Sequence, residues 1–293
     1  MDRRLACPDC GAAIVAEICA CGAEHPVRGG VRVLMPRAQQ AEVLAFYGVG
    51  EAQRHGFEET PEHERVAVEP FLASLDPDEP VIEIGSGQCR FAGMHPRLVL
   101  TDYSFEALAR FGEGMRVQLD AQRLPFRDGS LPALFTVSTL EHVPDPAAAM
   151  AELDRCLTPG GRALIFPSWD VPAWKSRGLQ ARAYSELGFG DRVRKFLVPV
   201  TRSAPFRYAR LVPRRVRREI AMARGRRLPF DFRPLKPNLD EYLESDSDAF
   251  SSMDPHACLA FFRSRGYDVR NDRGFLSRVL LRAVAIEVRK GGR

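Results

Sequence analysis

The stretch Val81-Ile-Glu-Ile-Gly-Ser-Gly-Gln-Cys-Arg-Phe91 decides the fold. Val81 to Ile84 is a short apolar run, and it breaks on Gly85-Ser-Gly87, where a chain turns sharply and meets a ligand with no Cβ in the way. The same phrase repeats downstream. Leu98-Val-Leu-Thr101 ends on Asp102, and Arg116-Val-Gln-Leu119 ends on Asp120. Ala133 to Val137 follows, then Arg162 to Phe166 after the turn Pro159-Gly160-Gly161. Helical stretches separate the strands, notably Pro146 to Cys156, with Asp145 as N-cap and Pro146 at the first helical position. The spacing leaves Gln88 to Gly93 room for a helix of barely two turns. Short apolar strands alternating with helices predict an α/β protein with a Rossmann-like, doubly wound parallel sheet.

Outward from that core the rhythm changes. Residues 37–75 show helical spacing punctuated by Gly48, Gly50 and Pro61, and read as a helical linker. Residues 170–250 carry many Pro and Arg, no clear strand and an acidic Ser245-Asp-Ser-Asp248 run, and read as an inserted helical lobe. The alternation resumes with Asp254-Pro255 capping a helix through Arg265, a strand near Tyr267 to Val269 and a long apolar strand from Val279 to Val288. The core is therefore expected over 76–169 and 251–293. Residues 1–36 stand apart: Cys7-Pro-Asp-Cys10 and Cys19-Ala-Cys21 offer four thiolates in two close pairs, and a segment without its own core can be held by a tetrahedral zinc ion. The second pair is tighter than usual, which makes His25 a substitute ligand.

The 293 residues are 45% apolar and 27% charged, long enough for one large domain or two smaller ones and too ordinary for a disordered or repetitive chain. No run approaches the roughly 20 apolar residues of a membrane span, and the opening lacks a secretory apolar region. Seven Cys, four of them within the first 21 residues, suit a metal knuckle in the reducing cytoplasm better than a disulfide framework. Cys89, Cys156 and Cys258 read as small buried residues.

Three strands end in carboxylates where ligands of open α/β sheets bind. Asp102 can accept both hydroxyls of a ribose, while Cys89 stands where a dinucleotide fingerprint would carry its third glycine. Val81 to Phe91, Leu100-Thr-Asp-Tyr-Ser104, Leu119 to Pro146 with Asp120-Ala-Gln-Arg-Leu-Pro-Phe-Arg-Asp-Gly-Ser130, and Glu152 to Ile165 together resemble the class I S-adenosylmethionine-dependent methyltransferases, in their methyltransferase-11-like branch. The likeness spans about residues 80–168 and departs from the pattern at Cys89 and at Leu131-Pro-Ala133. It implies a sheet with an antiparallel final strand. It also implies that Glu83, Gly85 and Gly87 face the methionyl part of the cofactor, that Asp102 holds the ribose and that Tyr103 lies beside the adenine. Asp120 and Ala121 would meet the adenine amino group, and Ser138 to Leu140 would line the sulfonium.

A hydroxyl acceptor needs its proton removed, and His142, just past the fourth core strand, is the candidate base, a structural histidine being the other reading. His256 could close over the site. Arg192 to Arg227 holds 13 Lys and Arg against one acid, Glu219, so the net charge of +4 conceals a remainder with 29 basic and 37 acidic residues. Such a run suits a polyanionic partner. Three functions follow as expectations. The first is methyl transfer to a small or glycan-type acceptor, phosphate-bearing ones included. The second rests on a resemblance to the zinc-ribbon rRNA guanine methyltransferases, whose ribbon ends in a tail like Val33-Leu-Met-Pro36. The third is a cofactor-binding accessory subunit that docks a protein.

Overall fold

The computed structural model describes residues 2–15, 17–38, 60–173, 179–180, 182–237, 248–270, 274–282 and 285–292. Residues 39–59 of the expected helical linker and 245–247 of the acidic run lie outside them. Strands β1 (Val27–Arg28) and β2 (Val31–Leu34) form a hairpin across Gly29-Gly30, both at positive φ. Then follow α1 (Glu62–Ala73), β3 (Val81–Ile84), β4 (Leu98–Asp102), α2 (Phe105–Arg110), β5 (Met115–Leu119), β6 (Leu131–Val137), α3 (Pro146–Cys156) and β7 (Leu157–Phe166). Beyond these come α4 (Phe189–Arg202), α5 (Ala204–Ala223), β8 (Phe232–Pro234), β9 (Ser251–Met253), α6 (Pro255–Arg263), β10 (Asp268–Val269), α7 (Phe275–Val279) and β11 (Ile286–Arg289).

Among the described residues the main sheet runs β1-β2-β5-β4-β3-β6-β7-β11-β10. All pairings from β2 to β7 are parallel, and β11 closes antiparallel on β7, as expected of the final strand. The order reverses at β3, which pairs β4 on one side and β6 on the other, so the crevice beyond its carboxyl end is the switch point where open α/β sheets bind ligands. β2 pairs β5 over Val31–Leu34, so the cysteine-bearing segment ends as a strand of this sheet. The central strands β3, β4 and β6 are buried on both faces. Ile82, Ile84, Val99, Leu134 and Ile165 pack with Met150, Leu153 and Leu259 on one side. Val81, Leu100, Phe135 and Leu164 meet Val68, Phe71 and Phe91 on the other. That double burial is why these strands read as unbroken apolar runs.

Asp145 caps α3 by accepting from the backbone N–H of Ala147 and Ala148, and Asp254 caps α6 by accepting from His256 N–H, as the sequence predicts. Four local expectations fail. Gln88 to Gly93 forms successive turns instead of a helix, because Gly87 and Cys89 both sit at positive φ. Pro159-Gly160-Gly161 is the irregular entry of β7, not a separate turn. The lobe does contain a strand, β8, paired with β9. The long strand from Val279 shrinks to β11: the carbonyls of Val279 and Leu281 accept instead from buried Arg215 Nη1, at 2.9 and 2.8 Å, and periodicity alone does not separate a short apolar strand from a helix.

That arginine anchors the lobe. Arg215, 1% exposed, also donates to Asp254 at 2.7 Å, as does Arg218. Burial pushes the Asp254 carboxyl up, but the two guanidiniums outweigh it and hold it below the ordinary range. Glu219 accepts from Arg278 at 2.7 Å and lies 3.0 Å from His256 Nε2. Acids outside the basic run meet other arginines of it too, Asp231 pairing Arg218 and Asp154 pairing the exposed Arg227.

Candidate active site

Glu83 near the end of β3, Asp102 at the end of β4, Asp120 after β5 and Ser138 after β6 occupy neighbouring strand ends in the sheet. Gly85 has φ +76°, and a Cβ there would stand 2.1 Å from Thr139 Cγ2, so the turn after β3 accepts no side chain. At Gly87, φ +48°, a Cβ would meet open space, which leaves room for a ligand against the backbone. Asp102 Oδ2 accepts from Gly87 N–H at 2.7 Å and Oδ1 from Ser104 N–H at 2.8 Å, tying the strand end to the glycine turn. Burial raises the Asp102 carboxyl above its ordinary range against those two bonds. Each carboxylate oxygen retains a second lone pair for a hydroxyl.

Glu83 is 2% exposed, and burial pushes its carboxyl up to about 8. Its Oε2 is buried without a hydrogen-bond partner among the described residues. Buried carboxylate oxygens are rarely left so, and the position calls for a donor that arrives with a ligand. Tyr103 is half-buried, its carbonyl accepting from Gln118 Nε2 at 2.9 Å, and burial with Asp120 nearby raises its hydroxyl to about 12. Asp120 accepts from Gln122 N–H, and Ala121 is buried beside it. These residues fit the S-adenosylmethionine that the sequence resemblance implies. The orphaned Glu83 oxygen suits its ammonium, Asp102 its ribose, and the open space at Gly87 its close approach.

The non-glycine residues at positive φ among those described, Cys89, Ser138 and Asp170, all follow the carboxyl ends of β3, β6 and β7. Such strain clusters at functional sites. Ser138 Oγ donates to Glu64 Oε1 of α1 at 2.9 Å, and Arg90 pairs Glu64 Oε2 at 3.1 Å. The sequence gives no sign of Glu64 or Arg90, since the contact bridges 74 positions.

His142 lies in the turn after β6 with its side chain 23% exposed and Nδ1 3.2 Å from Asp248 Oδ2. Asp248 of the acidic run thereby meets this site. Neighbouring Glu141 is fully buried, accepting from Ser168 N–H at 2.9 Å. His256 is elsewhere in function: it is fully buried against Glu219, and burial lowers it to about 4, so it remains neutral and walled off from any acceptor. Beyond β7, Arg207 Nη1 stands 3.8 Å from Asp170 Oδ2, and Arg233 donates to Val171 O at 3.0 Å. These cations face the same end of the sheet.

The sulfurs of Cys7, Cys10, Cys19 and Cys21 all lie within 4.8 Å of one another, with Cys10 to Cys19 at 3.5 Å and Cys7 to Cys21 at 3.7 Å. A tetrahedral ion with metal–sulfur bonds of about 2.3 Å requires sulfurs about 3.8 Å apart, so the donor set fits zinc. His25 is fully buried and outside this set. Cys89, Cys156 and Cys258 are buried free thiols, as read from the sequence.

Residues 82–165 match the family model described as a methyltransferase domain. An uncharacterized 37.1 kDa protein of a Streptomyces fradiae transposon is 48% identical over 52 residues, 17% of this chain; the match spans only 15% of that relative's length. A methyltransferase-type structure from Bacillus halodurans aligns with a TM-score of 0.43 at 14% identity, covering 78% of this chain and 99% of its own. An amino pentose methyltransferase from Micromonospora echinaspora, solved with S-adenosylmethionine bound, aligns with a TM-score of 0.32 at 20% identity, over 45% of this chain and 58% of its own. No described helix is long and apolar enough to cross a membrane.

Proposed function

We propose that this chain, which carries a class I methyltransferase domain at residues 82–165, moves the methyl group of S-adenosylmethionine onto a hydroxyl or amine of a small or glycan-type acceptor that bears phosphate. The orphaned Oε2 of buried Glu83, set between the glycine turn and Asp102, carries the reading. When bound, the sulfonium supplies an already activated methyl group, and the protein's part is alignment of the acceptor. Glu83 accepts from the ammonium, Asp102 holds the ribose diol, Tyr103 covers the adenine, Asp120 with Ala121 meets its amino group, and Ser138 borders the sulfur. His142 takes the acceptor's proton, steadied by Asp248 at 3.2 Å. Arg207 and Arg233, across from Asp170, suit the acceptor's phosphate. The four thiolates hold a structural zinc ion that locks the loop ahead of β2, in keeping with a cytoplasmic, reducing setting.

Transfer of a labelled methyl group from S-adenosylmethionine to nucleotide-linked or phosphorylated sugars tests the reading. Product is expected with wild-type protein and lost with Asp102→Ala. Tight cofactor binding with no transfer to any acceptor would overturn it in favour of an accessory subunit.

A further inference from the structure

Helix α4 is amphipathic in the wrong sense for a helix of a protein core. Phe189, Val193, Phe196, Leu197 and Val200 recur at helical spacing on one face, and they are exposed by 85, 43, 72, 43 and 54%. Its inward face carries Asp191, Lys195 and Val198, with the Lys195 ammonium 4.8 Å above the Tyr184 ring and donating to the carbonyls of Gln180 and Arg182. A surface helix ordinarily turns its apolar stripe to the core and its charges to water. Over 14 residues the inverted stripe runs about 21 Å and is convex, so it offers no groove to receive a partner's side chains.

The next helix supplies charge. Arg215 and Glu219 of α5 point inward, whereas Arg210, Arg214, Arg217 and Arg224 share its outward face at spacings of four, three and seven. Those four side chains are exposed and have no ion-pair or hydrogen-bond partner among the described residues. Phe206 and Ile220, 37 and 45% exposed, stand on the same face. Aromatic and aliphatic groups edged by unpaired guanidiniums match the boundary between acyl chains and anionic headgroups, where phenyl and aliphatic groups sink and arginines reach the phosphates. RNA accounts for the arginines but gives no use to Val193, Leu197 and Val200.

We infer that α4 and the outward face of α5 form a docking surface that seats this lobe on an anionic lipid bilayer. The surface would bring an acceptor anchored in that bilayer to the carboxyl ends of the strands. The docking itself needs neither cofactor nor acceptor, so it stands or falls apart from methyl transfer.

Sedimentation of the full chain with extruded vesicles of phosphatidylcholine alone, and of phosphatidylcholine mixed with phosphatidylglycerol, tests it. Binding to the anionic vesicles is expected, at least about tenfold weaker to the neutral ones and weakened by salt. Phe189→Ser with Phe196→Ser should weaken anionic binding about tenfold, and Arg210→Glu with Arg217→Glu should abolish the preference for anionic lipid. These side chains are exposed, so circular dichroism melts should match wild type. No sedimentation with anionic vesicles at low salt would overturn the inference. So would wild-type binding by the double Phe variant, or burial of the same residues in a second copy seen as a concentration-dependent dimer.

Discussion

Replacing Glu83 by Gln removes the titrating group of the site while keeping nearly the same volume. With its carboxyl raised to about 8, Glu83 is ionised to about 1% at pH 6, about 10% at pH 7 and about half at pH 8. An ammonium needs the carboxylate, so apparent affinity for S-adenosylhomocysteine scales with that share. It should rise on the order of fiftyfold from pH 6 to pH 8, about 2 kcal/mol, and then level off. At pH 7 binding should expel about 0.9 of a proton, which calorimetry in buffers of different ionisation enthalpy counts directly. Glu83→Gln should lose most of this rise with pH and, at pH 8, bind more weakly than wild type. Stability runs the other way. A folded-state carboxyl raised from 4.5 to about 8 favours the fold at low pH and loses that contribution as pH climbs through the interval, so the variant should melt higher than wild type above pH 8 and alike below pH 4. A wild-type affinity unchanged between pH 6 and pH 8, with no proton released, would refute the assignment of Glu83 to the ammonium.

Cys7→Ser should drop bound zinc well below one ion per chain by atomic absorption and lower the melting temperature, because the loop before β2 loses its clamp; full zinc occupancy would remove Cys7 from the ligand set. Arg215→Met takes one of two guanidiniums from the buried Asp254 carboxylate and leaves the carbonyls of Val279 and Leu281 without their donor, and should cost about 3–5 kcal/mol in denaturant unfolding, whereas a loss under about 1 kcal/mol would show that Arg215 anchors nothing. His142→Gln should lower kcat for a hydroxyl acceptor about 100-fold or more while cofactor affinity stays unchanged, and an unaltered kcat would strip His142 of its role as base.

The core was legible because β3 and β4 are buried on both faces and, like β5, run straight into a residue of the candidate site, Ile84 into Gly85, Thr101 into Asp102 and Leu119 into Asp120. The caps at Asp145 and Asp254 were equally plain, since capping is a local property. What escaped was set by tertiary contact. Glu64 reaches Ser138 from α1, and Asp248 reaches His142 from the far side of the lobe; no periodicity encodes either meeting. Val279 was drawn from strand to helix end by a buried guanidinium 64 positions away. The basic run was visible as composition, but which arginines turn inward to Asp254 and which face outward depends on how α5 lies against α6. The inverted polarity of α4 needed burial to be seen at all.

On the function proposed above, the carboxyl ends of β5, β4, β3 and β6 hold S-adenosylmethionine for methyl transfer. A crystal structure with S-adenosylhomocysteine tests it most directly. The ribose hydroxyls are expected on Asp102, the ammonium on Glu83 Oε2 and the homocysteine against the turn at Gly85 and Gly87. A ligand bound elsewhere, or a Glu83 oxygen still without a partner in the complex, would contradict it.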